Sequence, residues 1–150
     1  MRAIEELESM GYRMEVDGHA VRFCYQGKGR PDAEAAARLV EILEANEPEA
    51  VRFLTWREME RIFTSALSAV RETYVPGLLD RLEDEFPELS AGLATAEDAL
   101  ETTWAAVRQG RATLEDFRRA VDSWKDTLVS YGYVARFLGI ALGRLGLAWK

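Results

Sequence analysis

Cysteine, histidine and proline are scarce: one Cys, one His and four Pro in 150 residues. Each shortage excludes something. A lone Cys24 forms no intramolecular disulfide, which fits a reducing compartment, so a cytoplasmic location is expected. A lone His19 excludes every metal site that needs two or more histidines and argues against zinc. A Ser-His-Asp or Cys-His unit would have to be built on His19, which falls at a turn, where a packed or solvated role is expected instead. No apolar run reaches the roughly 18 residues a membrane-spanning helix needs, so no membrane span is expected. The opening MRAIEELESM has no apolar core, so no export signal is expected. The one glycine-flanked lysine, in GKGRPD, lacks both the spacing and the following Ser or Thr of a phosphate loop.

What is present is the composition of a folded chain: 48% hydrophobic and 30% charged residues. The net charge is −7 and unevenly spread. Residues 11–30 carry Arg13, Arg22, Lys28 and Arg30 against Glu15 and Asp17, a net of +2. Residues 127–150 carry Arg136, Arg144 and Lys150 and no acid, a net of +3, which leaves −12 on the rest. An acidic body repels phosphates. Nucleic acid is therefore expected only within a larger complex, with the two basic segments as its points of approach. A plain solvated surface of mixed sign accounts for the same pattern.

The periodicity predicts helix almost everywhere, with one interruption. Ile4, Leu7 and Met10 share a helical face over residues 2–10, and Gly11 stands where a helix ends. The period then changes to two. Tyr12, Met14 and Val16, then Val21, Phe23 and Tyr25, alternate with polar or small residues. With Asp17-Gly18 taken as a two-residue type I′ turn, Val16 faces His19, Met14 faces Val21 and Tyr12 faces Phe23. On the outer face Glu15 meets Ala20, and Arg13 meets Arg22, a repulsive pair. After GKGRPD, with Pro31 in a first helical turn, a helix is predicted over 32–45, with Ala37, Leu39, Val40 and Leu43 inward. Asn46 and Pro48 open a longer helix on Val51, Leu54, Met59, Ile62, Phe63, Ala66 and Val70 that reaches about residue 72.

A break at Tyr74-Val75-Pro76-Gly77 precedes a short helix on Leu78, Leu79, Leu82 and Phe86. Pro87 restarts the chain on a stripe of Leu89, Leu93, Ala96, Leu100, Trp104 and Val107 that ends at Gly110. TLED, residues 113–116, reads as a capping box with Asp for Glu, followed by Phe117, Ala120, Val121, Trp124, Leu128 and Tyr131 on one face. The expected fold is mainly α: a helical bundle over 56–150 behind a small α-β-β-α-α module over 1–55.

Catalytic constellations are missing. Glu97 and Glu101 lie one helical turn apart, as do Asp122 and Asp126, but a ferritin-like site needs Glu-x-x-His pairs and none exists. These carboxylates are expected on a solvent face. No enzyme activity, cofactor or metal is expected. Trp104 and Trp124 lie on apolar stripes and read as core, whereas Trp56 and Trp149 lie on ragged ones. In the tail, Gly139 and Gly143 form a small-xxx-small pair flanked by Phe137, Leu138, Ile140 and Leu142. Glycines there cost about 1 kcal/mol each against alanine, and close helix approach would offset it. Packing within the chain, self-association through this helix, or an interfacial membrane helix would each supply that approach.

The first 54 residues carry a further pattern. ELESMGYRMEVDGHAVRF, an exit loop with a proline, then AAARLVEILEANEPEAVRFL place Leu7, Gly11, Val16, Gly18, Val21, Phe23, Pro31, Leu39, Leu43, Pro48 and Leu54 so that this third of the chain resembles the N-terminal docking domain of TubC type. That module opens natural-product synthetase subunits and some small bacterial and mobile-element proteins. The resemblance implies docking, in which the exposed hairpin pairs with an extended segment of a partner, helped by opposite charges. Mapped here, Arg13, Arg22, Tyr25, Lys28 and Arg30 would meet an acidic or extended partner segment. No synthetase domain follows residue 55; a helical half does. Residues 74–128, through PGLLDRLEDEFPEL, AEDAL, Trp104, Phe117 and Trp124, are faintly similar to uncharacterised helical proteins of bacterial mobile elements. The resulting expectation is a non-enzymatic adaptor or assembly subunit with the hairpin as its docking surface. The other reading is a small helical subunit of a nucleoprotein complex, CRISPR-effector-like, or a phage or mobile-element accessory or inhibitor.

Overall fold

The structure, a computed structural model, describes the backbone of residues 1–73, 84 and 87–144, and side chains among these up to residue 134. Among the described residues it is mainly helical, with one two-stranded antiparallel sheet near the N-terminus. The elements are α1 (Arg2–Ser9), β1 (Tyr12–Asp17), β2 (Ala20–Tyr25), α2 (Ala33–Ala45), α3 (Glu47–Thr73), α4 (Pro87–Arg108) and α5 (Leu114–Arg144). They form two compact units, Met1–Glu58 and Met59–Lys150, and α3 contributes residues to both.

The first unit is built on a small apolar core. Ile4 and Leu7 of α1 are fully buried, joined by Ala3, Met14, Ala36, Leu43, Ala50 and Leu54. Burying each of the large aliphatic side chains stabilises by about 1.5–3 kcal/mol. Helix α1 stops at Gly11, whose φ of +93° suits glycine alone and whose N–H donates to Glu8 O at 2.9 Å. Gln26 N–H donates to Gly11 O at 2.8 Å and closes the base of the hairpin.

The hairpin forms where alternation placed it, but its turn differs. Asp17 pairs with Ala20, Val16 with Val21, Glu15 with Arg22, Met14 with Phe23, Arg13 with Cys24 and Tyr12 with Tyr25. The loop is therefore Gly18-His19 rather than Asp17-Gly18. Gly18 has φ of +62° and no other residue of the turn has positive φ, which is the type II′ arrangement with glycine first. Each residue of β1 consequently pairs two positions further along β2 than Asp-Gly chemistry predicts. A shift of two preserves the faces: Tyr12, Met14, Val16, Val21 and Phe23 still turn to the core. It changes the outer face, where Arg22 now sits opposite Glu15 and not opposite Arg13.

Asp32 caps α2 by accepting Ala35 N–H at 3.1 Å, so Pro31 precedes the cap and is not in the first turn. The buried face of α2 carries Ala36 and Leu43, with Leu39 and Val40 beside them, whereas Ala37 is exposed. Glu34 and Arg38, ion-paired one turn apart, mark the outer face of AEAAAR and put Ala36, not Ala37, opposite it. Asn46 lies at the junction; its side-chain amide donates to Ile42 O at 2.8 Å and closes α2, while its carbonyl accepts from Glu49 and Ala50 N–H at the start of α3. Arg57 grips Glu8 with two bonds of 2.9 and 2.7 Å, tying α3 to the end of α1.

In the second unit the three helices bury Met59, Ala66 and Val70 from α3, Leu93, Leu100 and Val107 from α4, and Phe117, Val121, Trp124 and Tyr131 from α5. The α4 and α5 stripes are those their periodicity predicts. Helix α4 ends in a Schellman motif: Gly110 N–H donates to Val107 O and Arg111 N–H to Ala106 O. Thr113 then opens α5 with the expected capping box. Its N–H donates to the Asp116 carboxylate at 2.8 Å and its hydroxyl accepts Asp116 N–H at 3.1 Å. The short connection makes α4 and α5 antiparallel neighbours, with Trp104 against Phe117 near the turn and the Tyr131 hydroxyl donating to Leu89 O further along. Gly132 follows, in a place with no room for a side chain: a Cβ there would lie 2.8 Å from Thr73 O at the end of α3. The break at 74–77, the helix expected on Leu78, Leu79, Leu82 and Phe86, and Trp149 lie outside the described residues.

Candidate functional site: the open hairpin edge

A two-stranded sheet has two outer edges, and among the described residues β1 and β2 pair only with each other. The strands are not equivalent. Strand β1 packs beside α1 and buries Met14, whereas β2 has no buried residue. Antiparallel pairing alternates between hydrogen-bonded and non-hydrogen-bonded positions. The Gln26 to Gly11 bond sets the phase. It places the N–H groups of Val21, Phe23 and Tyr25 on the side of β2 away from β1. Among the described residues no backbone carbonyl outside the hairpin accepts from them. The outer edge of β2 is thus a row of open amides and carbonyls, the group pattern that accepts another strand.

The five residues expected to meet a partner fall into three groups around this edge. Arg13 is ion-paired to Glu15 at 2.9 Å, and Arg22 holds the Asp17 carboxylate, both on the exposed face. The repulsion expected between Arg13 and Arg22 is absent because the register separates them and interposes acids. Tyr25 is half-buried and edge-on to Tyr12, with ring centroids 5.2 Å apart. Its ring covers the point where Gly11 and Gly27 approach, so close that a Cβ on Gly11 would lie 2.8 Å from Gly27 Cα. Tyr25 therefore closes the base of the hairpin. Lys28 and Arg30 are exposed in the loop after β2 and, among the described residues, form no ion pair. His19 and Cys24 are exposed, on the turn and on the outer face.

The other residues singled out in the sequence sort as follows. Among the described residues no group of three or more His, Cys, Asp or Glu is placed to hold a metal ion. Asp122 and Asp126 share Lys125, at 2.8 and 3.8 Å, and the bond the lysine donates to Asp122 raises its pKa. Trp124 is buried and Trp104 half-buried, while Trp56 is 42% exposed. Gly139 and Gly143 lie in the last turns of α5, beyond the described side chains. Among the described residues no helix is long and apolar enough to cross a membrane.

One feature of the second unit was not visible in the sequence. Phe63 from α3, Glu97, Leu100, Glu101 and Trp104 from α4, and Trp124 from α5 line an open pocket of about 460 Å³. Glu97 and Glu101 do lie on an exposed face, as their spacing suggests, but that face borders an aromatic floor. The spacing within α4 could have placed Leu100 and Trp104 beside the two acids. Phe63 and Trp124 come from other helices and carry no local signal.

The chain matches no family model, no curated protein and no solved structure.

Proposed function

We infer that the chain is a non-enzymatic interaction subunit whose N-terminal unit captures an extended segment of another protein as a third strand on β2. The observation that carries this reading is the row of Val21, Phe23 and Tyr25 amides along a strand edge that no other strand pairs with among the described residues. Strand addition draws affinity from backbone bonds and specificity from neighbouring side chains. Lys28 and Arg30, cations without an acid of their own among the described residues, favour an acidic partner segment leaving the base of the hairpin. Arg13 and Arg22 are already satisfied by Glu15 and Asp17, so they contribute less than the loop cations. The resemblance of residues 1–54 to a TubC-type docking domain supports the same surface.

The test starts from the tagged full chain, purified from its own cells after mild crosslinking, with half the sample treated with nuclease. The expected result is a protein partner retained after nuclease. In its complex the Val21, Phe23 and Tyr25 amides become protected from hydrogen exchange, and Lys28→Glu with Arg30→Glu weakens binding by about tenfold, or roughly 1.4 kcal/mol. Loss of all partners with the nucleic acid, or a complex that leaves those amides unprotected, overturns the reading.

A further inference from the structure

The pocket between α3, α4 and α5 combines two features that seldom meet by default. Its floor is aromatic. Phe63 and Trp124 lie 5.4 Å apart at a tilt of 31°, and Trp104 stands nearly perpendicular to Phe63 at 6.2 Å and 88°. The rings therefore wall the pocket on more than one side. Its rim carries two carboxylates, Glu97 and Glu101, spaced at i, i+4 on α4. Like charges at that spacing repel each other. On α1, α2 and α5 several acids set three or four residues from a base pair with it, as in Arg2–Glu6, Arg38–Glu34, Arg118–Glu115 and Lys125–Asp122. Glu97 and Glu101 have no base within one turn on either side, and neither forms an ion pair among the described residues. Helix α4 as a whole carries Glu88, Glu97, Asp98 and Glu101 against Arg108, a net of −3.

An aromatic floor binds apolar groups, and its ring faces attract cations, tryptophan most strongly. Two uncompensated carboxylates at the rim reject anions and leave a neutral apolar ligand with nothing to offset the rim's negative charge. The occupant that satisfies both is a cation with an apolar shell. We propose that this pocket binds an organic ammonium group, its alkyl substituents against Phe63, Trp104 and Trp124 and its charge held between Glu97 and Glu101, of whose two negative charges it offsets one. The volume of about 460 Å³ holds a small organic molecule with room for a tail leading out of the open side. This site lies wholly within the second unit and stands independently of the hairpin edge.

The test uses choline as the cationic probe and 3,3-dimethyl-1-butanol as its uncharged isostere, titrated into the full chain. Calorimetry gives the affinity, and the indole N–H signals of Trp104 and Trp124, assigned by single Trp→Phe variants, give the location. Choline is expected to shift those two signals and to bind about tenfold or more tightly than the isostere. Glu97→Gln with Glu101→Gln is expected to weaken choline about tenfold or more while leaving the thermal unfolding intact, since both side chains are exposed and unbonded among the described residues. Glu41→Gln with Glu44→Gln on α2 removes the same charge elsewhere and is expected to change affinity less than about twofold. Equal binding of the isostere, indifference to the Glu97/Glu101 change, or no choline-induced shift at Trp104 and Trp124 overturns the proposal.

Discussion

Asp116 shows how much one side chain does at a helix start. Its carboxylate accepts the Thr113 hydroxyl and the Thr113 N–H and holds the Arg119 guanidinium, and these bonds, the hydroxyl's first, lower its pKa from the ordinary 3.8 to about 2. A depressed carboxylate pKa adds stability that is complete above the unfolded value and is lost as pH falls through the folded one. The window here runs from about pH 4 down to about pH 2. The wild-type chain should melt higher than Asp116→Asn at neutral pH, and the gap should close across that window. Melting curves of both proteins between pH 7 and pH 2 check it, and a gap that stays constant would mean that the carboxylate's charge is irrelevant to the cap. The Thr113–Asp116 box could be read directly, because capping is set by four adjacent residues. Asn46 could not: whether its amide closes the helix behind it or its oxygen caps the one ahead depends on where α3 starts relative to α2.

At the scale of the element, the hairpin shows what alternation does and does not determine. Alternation of Tyr12, Met14, Val16, Val21 and Phe23 identifies the two strands and their inner face. It does not choose between registers two residues apart, since both put the same side chains inward. Type II′ chemistry at Gly18 and the charges on the exposed face make the choice. In the adopted register Arg22 faces Glu15; in the other, Arg22 would face Arg13. Glu15→Arg should therefore cost the hairpin about half a kcal/mol and loosen its register, and adding Arg22→Glu should recover most of that loss. Hydrogen exchange at Gln26, whose N–H bonds Gly11 at the hairpin base, reports it. If the single and double variants exchange alike, the turn alone fixes the register. By contrast, α4 and α5 were legible nearly residue by residue, since long amphipathic stripes bounded by Gly110 and Thr113 leave one phase only.

Across the whole molecule, legibility follows the range of the contacts. Local signals placed the hairpin, the described helices and most of the large apolar residues of both cores, but missed the small buried Ala3, Ala36 and Ala50. The pocket of Phe63, Glu97, Glu101, Trp104 and Trp124 was not legible, because it needs three helices side by side and sequence spacing describes one at a time. The same holds for the glycines. The tail pair Gly139 and Gly143 carries the pattern of close packing, yet among the described helical glycines the one with least room for a side chain is Gly132, which no motif marks. Replacing Gly132 by alanine should push α5 from the end of α3 and destabilise the second unit by about 1–3 kcal/mol, lowering its melting temperature by several degrees. An unchanged melting temperature would show that Thr73 yields without strain. A penalty of that size has a use in genetics. It is small enough for the chain to fold at a permissive temperature and large enough to unfold it at a restrictive one. Gly132→Ala is therefore a ready temperature-sensitive allele, with which the cell's need for this protein can be switched off by warming alone.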